Sequence, residues 1–369
     1  MNTRKRENGR SPTRLLVLLA AFGMFSLAPQ AATQYWDGAG VENDSIVTGG
    51  PGVWDSGATN WTTADGLTNS VWGQDEAVFY ANAGAVIISG KVLTQRLSFI
   101  TDGYVLAPQD SGSGLTFLGD LVIDTADGVT ATINTSVAQQ TFGTDNNLYK
   151  TGAGTLVLNG EGSFGGKLTV DGEMIVAGNI GHYGGTWVNN GAVLQIGNGG
   201  GSGMVDFGIV NNGTLIFNRS DDFSFSGGLD GVGDTIKRGA GTLYLLTNNL
   251  AQGTTTIEQG TLSIGDGIND GTILGNIINN GQLIYNRSNY NYSGHITGSG
   301  GLTKMGTSEL VLSGVNNYAG ATIVAGGMLR IAGVTTTPQV QVLSGAFLVG
   351  GGVLNGSAEL QDGATFILN

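Results

Sequence analysis

After residue 32 the chain alternates apolar residues with polar or small ones, in runs of four or five broken by glycine. Lys150-Thr151-Gly152-Ala153-Gly154-Thr155-Leu156-Val157-Leu158 shows the unit: a glycine turn, then a period of two, the mark of a half-buried strand. It returns as Lys237-Arg238-Gly239-Ala240-Gly241-Thr242-Leu243-Tyr244-Leu245 and as Lys304-Met305-Gly306-Thr307-Ser308-Glu309-Leu310-Val311-Leu312. The alternation predicts an inward set of Leu156/Leu158, Leu243/Leu245 and Leu310/Leu312, then Met174/Val176, Leu262/Ile264 and Leu329/Ile331. Val157, Tyr244, Ser263 and Arg330 are predicted to face outward. No 3.6-residue period follows the first 30 or so residues, so the predicted class is all-β.

The spacing of these units predicts a stacked array. Asn211-Asn212-Gly213 recurs 68 residues later as Asn279-Asn280-Gly281, and Lys304 follows Lys237 by 67. The first step, Lys150 to Lys237, is longer at 87, and it holds another Asn-Asn-Gly at Asn189-Asn190-Gly191, 22 residues before Asn211. This predicts a long repeat of three rungs of about 22 residues, with one rung added in the first copy. A rung of that size suits one coil of a right-handed parallel β-helix. Roughly 15 coils at about 4.8 Å each would make a rod about 70 Å long. The Asn-Gly pairs are expected at turns of positive φ, with asparagine amides bonding from coil to coil.

Four segments follow. Residues 1–32 read as a signal peptide: Arg4, Lys5, Arg6, Arg10 and Arg14 precede an apolar stretch over 15–27, then Ala28, Ala31 and Ala32. A retained anchor is the alternative, disfavoured by the short apolar run. Residues 33–145 form an N-terminal cap and first coils, with four of the five tryptophans, Trp36, Trp54, Trp61 and Trp72. Those rings either seal the open end of the core or offer a platform for a sugar. Residues 146–333 hold the repeats, and 334–369 the last coils, expected to be truncated because no polar cap follows Leu368.

Composition narrows the classes. The chain has 66 Gly without a collagen period, 5 Pro and no Cys, so no disulfide supports the fold. Removing residues 1–32 takes five of 15 basic and one of 28 acidic residues, moving the net charge from −13 to −17. Such an acidic chain argues against nucleic acid and anionic membranes as partners, and no membrane span is expected in the mature chain.

Residues suited to chemistry are few. Asp110-Ser111-Gly112-Ser113 resembles a protease nucleophile region, but the histidines, His182 and His295, both come later, and the segment reads as a polar turn. Both histidines read as solvated turn residues. Residues 265–271 have the flavour of a calcium loop without its spacing. Asp221, Asp222 and Asp234 are candidate carboxylates for a polysaccharide lyase or hydrolase, yet their counterparts in the next repeat include Asn289 and Tyr290. No catalytic, cofactor-binding or metal-ligating residue is assigned.

The units Lys-x-Gly-x-Gly-Thr-Leu-x-Leu, then Tyr318-Ala319-Gly320 and Thr-x-x-x-Gly-x-Leu-x-Ile, resemble the passenger-associated transport repeat of bacterial autotransporters. Tyr35-Trp36-Asp37-Gly38 with Asn60-Trp61-Thr62 resembles the start of such passengers, and Leu343-Ser344-Gly345-Ala346 with Gly350-Gly351-Gly352 resembles their closing coils. The resemblance implies a secreted or surface-displayed passenger of type V secretion, a structural or adhesive β-helix whose repeats assist export. It implies an outer-membrane translocator barrel as partner, outside this chain, and allows host or cell-surface glycans. The alternative is a β-helical carbohydrate-active enzyme. Location is expected at the cell surface, outer membrane or outside the cell, or in the periplasm where no barrel is available.

Overall fold

Thr155–Leu158 shows why the alternating runs become strands: Leu156 and Leu158 are fully buried while Thr155 and Val157 stay half-buried. The next turn of chain sets Met174 on Leu156 and Val176 on Leu158 in parallel register, and the turns after it add Leu194 and Ile196, then Leu215 and Phe217. Each inward side chain thus rests on one of similar bulk, so the core is a continuous apolar column. All twelve predicted inward residues are buried. Three- to five-residue strands have little stability alone and gain it from the turn on either side.

The computed structural model describes residues 33–368 apart from 39, 41, 142 and 144. The signal-peptide reading of 1–32 lies outside them. The described residues hold no helix and form a parallel β-solenoid of about 15 turns. Each turn has three faces. Leu148–Thr151, Leu168–Val170, Thr186–Val188, Ile209–Asn211 and Leu229–Asp230 stack on the first. Thr155–Leu158 through Asp234–Arg238 and on to Ile277–Asn279 stack on the second. On the third, Gly162–Phe164 and Asn179–His182 stack early, and Thr242–Leu245, Thr261–Ile264, Gln282–Tyr285 and Gly301–Lys304 later.

This assignment corrects the expected three rungs of about 22 residues. Lys150 lies on the first face, Lys237 on the second and Lys304 on the third. A step of 67 residues is therefore about three and a third turns of roughly 20 residues, and each copy of the motif is rotated by one face. The 87-residue step exceeds it by 20, one full turn, so the added rung is real.

The glycine two residues after each of those lysines adopts positive φ: 75° at Gly152, 82° at Gly239 and 71° at Gly306. Only glycine takes that conformation without cost, and a Cβ at Gly152 or Gly239 would lie 2.1 or 2.3 Å from a carbonyl oxygen of the preceding turn. The Asn-Asn-Gly turns follow another rule. Of their glycines only Gly191 has positive φ. In the other two copies the first asparagine turns inward instead. Asn211 and Asn279 are buried, accept from the N–H two residues on, and donate to Asp234 O and Gly301 O of the next turn at 2.8 Å. The expected amide bonding between coils runs mainly from asparagine to backbone, with Asn159 to Asn134 a side-chain pair at 2.7 Å.

The N-terminal end is closed by rings. Trp36, Trp54 and Trp61 are fully buried and Trp72 is 7% exposed, with Trp61 5.2 Å from Trp36, 4.8 Å from Trp54 and 4.5 Å from Trp72. Thr33–Trp36 pairs antiparallel with Trp61–Thr62 and parallel with Glu76–Phe79, which fastens the cap to the first turn. These indoles seal the core. They are no sugar platform, because no ring face is left open to solvent.

Candidate binding surface

The lysines that lead the repeats are inside. Lys150 Nζ donates to the carbonyls of Thr151 and Gly152, and Lys237 Nζ to those of Arg238, Gly239 and Gln259. Lys304 Nζ does the same with Met305, Gly306 and Gly326. Burial pushes Lys150 and Lys304 down to about 8, which leaves them charged at neutral pH. Each ammonium fills the concave side of its own glycine turn, Lys150 meeting two carbonyls and Lys237 and Lys304 three each.

The candidate carboxylates are occupied in the same way. Asp221 is held by Arg219 at 2.7 Å, which with a hydrogen bond from that guanidinium keeps its carboxyl below the usual range. Asp222 accepts from Thr242 N–H and Asp234 from Thr254 N–H, each at 2.8 Å, so both bridge one turn to the next. Asp110 accepts from Gly112 N–H and Ser113 Oγ at 2.9 Å, and the segment is the polar turn expected. In the 265–271 loop Asp266 caps its own backbone through Ile268 and Asn269 N–H, while Asp270 accepts from Ser288 N–H.

Two loops return over the sheet. Residues 197–203 and 265–271 cover outward positions of the preceding strands, so Gln195 is 8% exposed and Ser263, expected outward, only 1%. Ser263 Oγ donates to Gly265 O at 2.6 Å and Gln195 Nε2 to Gly197 O at 2.9 Å. An arginine from each of two matching runs, Asn218-Arg219-Ser220 and Asn286-Arg287-Ser288, locks each loop: Arg219 donates to the carbonyls of Gly201 and Gly203, Arg287 to that of Gly271. Their guanidiniums lie over Phe223 and Tyr290 at 4.5 and 4.3 Å.

His295 is an exposed turn residue, as expected, and its Nδ1 lies 2.9 Å from the carbonyl oxygen and 3.2 Å from the N–H nitrogen of Val315 on the next turn. His182 corrects its reading. It ends the strand Asn179–His182, is 1% exposed, stacks on Phe164 at 5.2 Å and meets Thr186 Oγ1 at 3.0 Å through Nε2. Burial pushes its pKa down to about 4.

The corner after His182 opens to solvent. Tyr183 is 76% exposed, and its ring lies 5.7 Å from that of Phe207, one turn on and 51% exposed. Between them and the outward row Trp187, Val210 and Asp230 lies a groove of about 460 Å³. Gly185, Gly208 and Gly228 form its floor, and Asn248 and Leu250 its far end. Lys167 lies over the indole of Trp187 at 4.4 Å. Phe207 has φ of 62°, and among the described residues every other non-glycine residue of positive φ lies at or before Ala81. The aromatic runs were too far apart in sequence to read together; the signal available was the fifth tryptophan, placed inside the added turn.

Comparison with known proteins matches the passenger-associated-transport-repeat family model at residues 148–172, 236–264 and 302–331. The adhesin BmaC autotransporter of Brucella suis biovar 1 is 35% identical over 304 residues, 73% of this chain and 8% of that protein. The autotransporter lipoprotein NalP of Neisseria meningitidis serogroup B is 36% identical over 78 residues, 21% of this chain and 7% of that protein. The chain thus spans under a tenth of the length of these curated relatives. No solved structure matches.

Proposed function

A chain with three passenger-associated transport repeats wound on one parallel β-solenoid is an autotransporter passenger segment, and from that premise we propose that it is displayed outside the cell as an adhesive rod. The observation that carries this reading is the repeat itself: three Lys-led motifs, one on each face, each spending its charge on holding its own turn. The similarity to an adhesin over 73% of the chain supports an adhesive role rather than a catalytic one. The chemically suited carboxylates support it too, since all three are committed to turn-to-turn bonds or an arginine. Export by this reading uses a translocator barrel in the outer membrane, supplied by the rest of the protein or by another chain.

The test fuses the chain to a translocator barrel in a Gram-negative host and measures antibody and protease access on intact cells, then adhesion of those cells to host-cell monolayers. Surface access with a gain in adhesion is expected. Retention inside the envelope would overturn the display, and turnover of a polysaccharide, abolished by one carboxylate substitution, would replace adhesion by the carbohydrate-active alternative.

A further inference from the structure

We propose that the groove between Tyr183, Phe207 and Trp187 binds an uncharged pyranose oligosaccharide, laid across the turns of the solenoid. The proposal deepens the adhesive reading and rests on it for its setting.

Most of the groove belongs to the part of the chain between matched repeats, with Asn248 and Leu250 coming from the next matched segment. Tyr183, Phe207 and Asp230 all lie between the matched segments ending at residue 172 and beginning at 236, in the step lengthened by one turn. Counting register from Thr186↔Ile209↔Leu229 places Gly184 below Phe207 and Gly227 above it. Glycine on both sides leaves the Phe207 ring free to stand out from the corner. Its backbone at φ 62° is costly for a phenylalanine. A strained backbone that holds a large apolar ring half in water, with the exposed Tyr183 ring its one aromatic contact among the described residues, is arranged for something else to cover.

The chemistry of the walls selects the occupant. A pyranose has a face of axial C–H groups and a rim of equatorial hydroxyls. Aromatic rings present the flat apolar surface such a face needs, and here Tyr183 and Phe207 stand across a glycine-lined floor from Trp187. The Asp230 carboxylate and the Asn248 amide, both exposed at the groove's end, offer an acceptor and a mixed donor–acceptor to the hydroxyl rim. The volume of about 460 Å³ is that of a small-ligand site, where about 300–1,000 Å³ is usual. A stable protein partner needs about 800 Å² on each side, more than one corner of two or three turns supplies. Charge decides between glycans: the charged residue lining the groove is Asp230, the Lys167 ammonium over Trp187 keeps its charge and offsets one negative group, and the chain as a whole carries a net charge of −13. An anionic glycan is repelled, and an uncharged one is not.

The experiment titrates the purified protein calorimetrically with cellopentaose, maltopentaose and chitopentaose, with heparin as the anionic comparison. At least one uncharged oligosaccharide is expected to bind, and Tyr183→Ala and Phe207→Gly to weaken it at least tenfold. Phe207→Gly separates binding from folding, because glycine relieves the positive φ and its urea midpoint should match or exceed that of the parent. Silence with all three sugars, equal binding by both variants, or preference for heparin would overturn the proposal. Adhesion of displaying cells that survives both variants would sink the groove and leave the passenger reading standing, whereas failure of display would strike that reading alone.

Discussion

The ammonium of Lys237 meets the carbonyl of Gln259, 22 residues further on, at 3.2 Å, while its other two contacts are with the carbonyls of its own turn. One charge thereby ties the motif to the turn stacked on it. Lys237→Met keeps the length and apolar stem but takes the ammonium from three part-buried carbonyls, where full burial without a donor would cost about 1–3 kcal/mol each. Allowing for relaxation, a loss of about 2–4 kcal/mol is expected, read as a lower urea midpoint. A midpoint equal to that of the parent would show that water replaces the ammonium.

The motif glycines should not be equal. A Cβ at Gly239 would lie 2.3 Å from the backbone oxygen of Arg219, whereas at Gly306 the nearest atom is the side-chain oxygen of Asn286 at 3.1 Å. Gly306→Ala should cost about 1 kcal/mol for its positive φ alone, and Gly239→Ala clearly more, because the backbone of the turn beneath must move. Thermal melts of the two variants side by side give the order; the reverse order would contradict the stacking described.

Acid should act through His182. Its pKa is about 4 in the folded protein against an ordinary 6.5, so between those values the unfolded chain takes up the proton and the folded one does not. The contribution is intact above pH 6.5 and is lost as pH falls toward 4, reaching about 3 kcal/mol at most. Urea midpoints at pH 7, 5.5 and 4 should fall less steeply in His182→Leu than in the parent.

Arg219→Ala removes the bonds to Gly201 and Gly203 and the contact with Phe223. About 1–3 kcal/mol should be lost. Limited proteolysis should then cut within residues 197–203, while the 265–271 loop, held by Arg287, stays protected.

Much of this fold is legible in the sequence because alternation reports directly on burial: Leu243, Leu262 and Leu329 were placed correctly by period alone. The added turn was legible as well, from 87 against 67. The rotation of the repeat was not. It depends on how many residues each corner uses, and corners differ without any rule that alternation reveals. Lys150 inside the column runs against the ordinary preference of lysine for solvent. Ser263 defeats the period because a loop eight residues away or less folds back over it. The groove was hidden for a related reason: Tyr183 and Phe207 become neighbours only when a full turn closes between them.

The sealed ring cluster at the N-terminal end has a spectroscopic consequence. Four indoles are locked in a dry cap and the fifth, Trp187, stands half-buried beside the groove. The chain is thus a two-colour fluorophore: short-wavelength emission reports whether the end of the rod is shut, and the long-wavelength component, open to acrylamide, reports whether the groove is covered. With Trp187→Phe the second colour disappears and the first remains, so the opening of the cap and the filling of the groove can be followed apart in one cuvette.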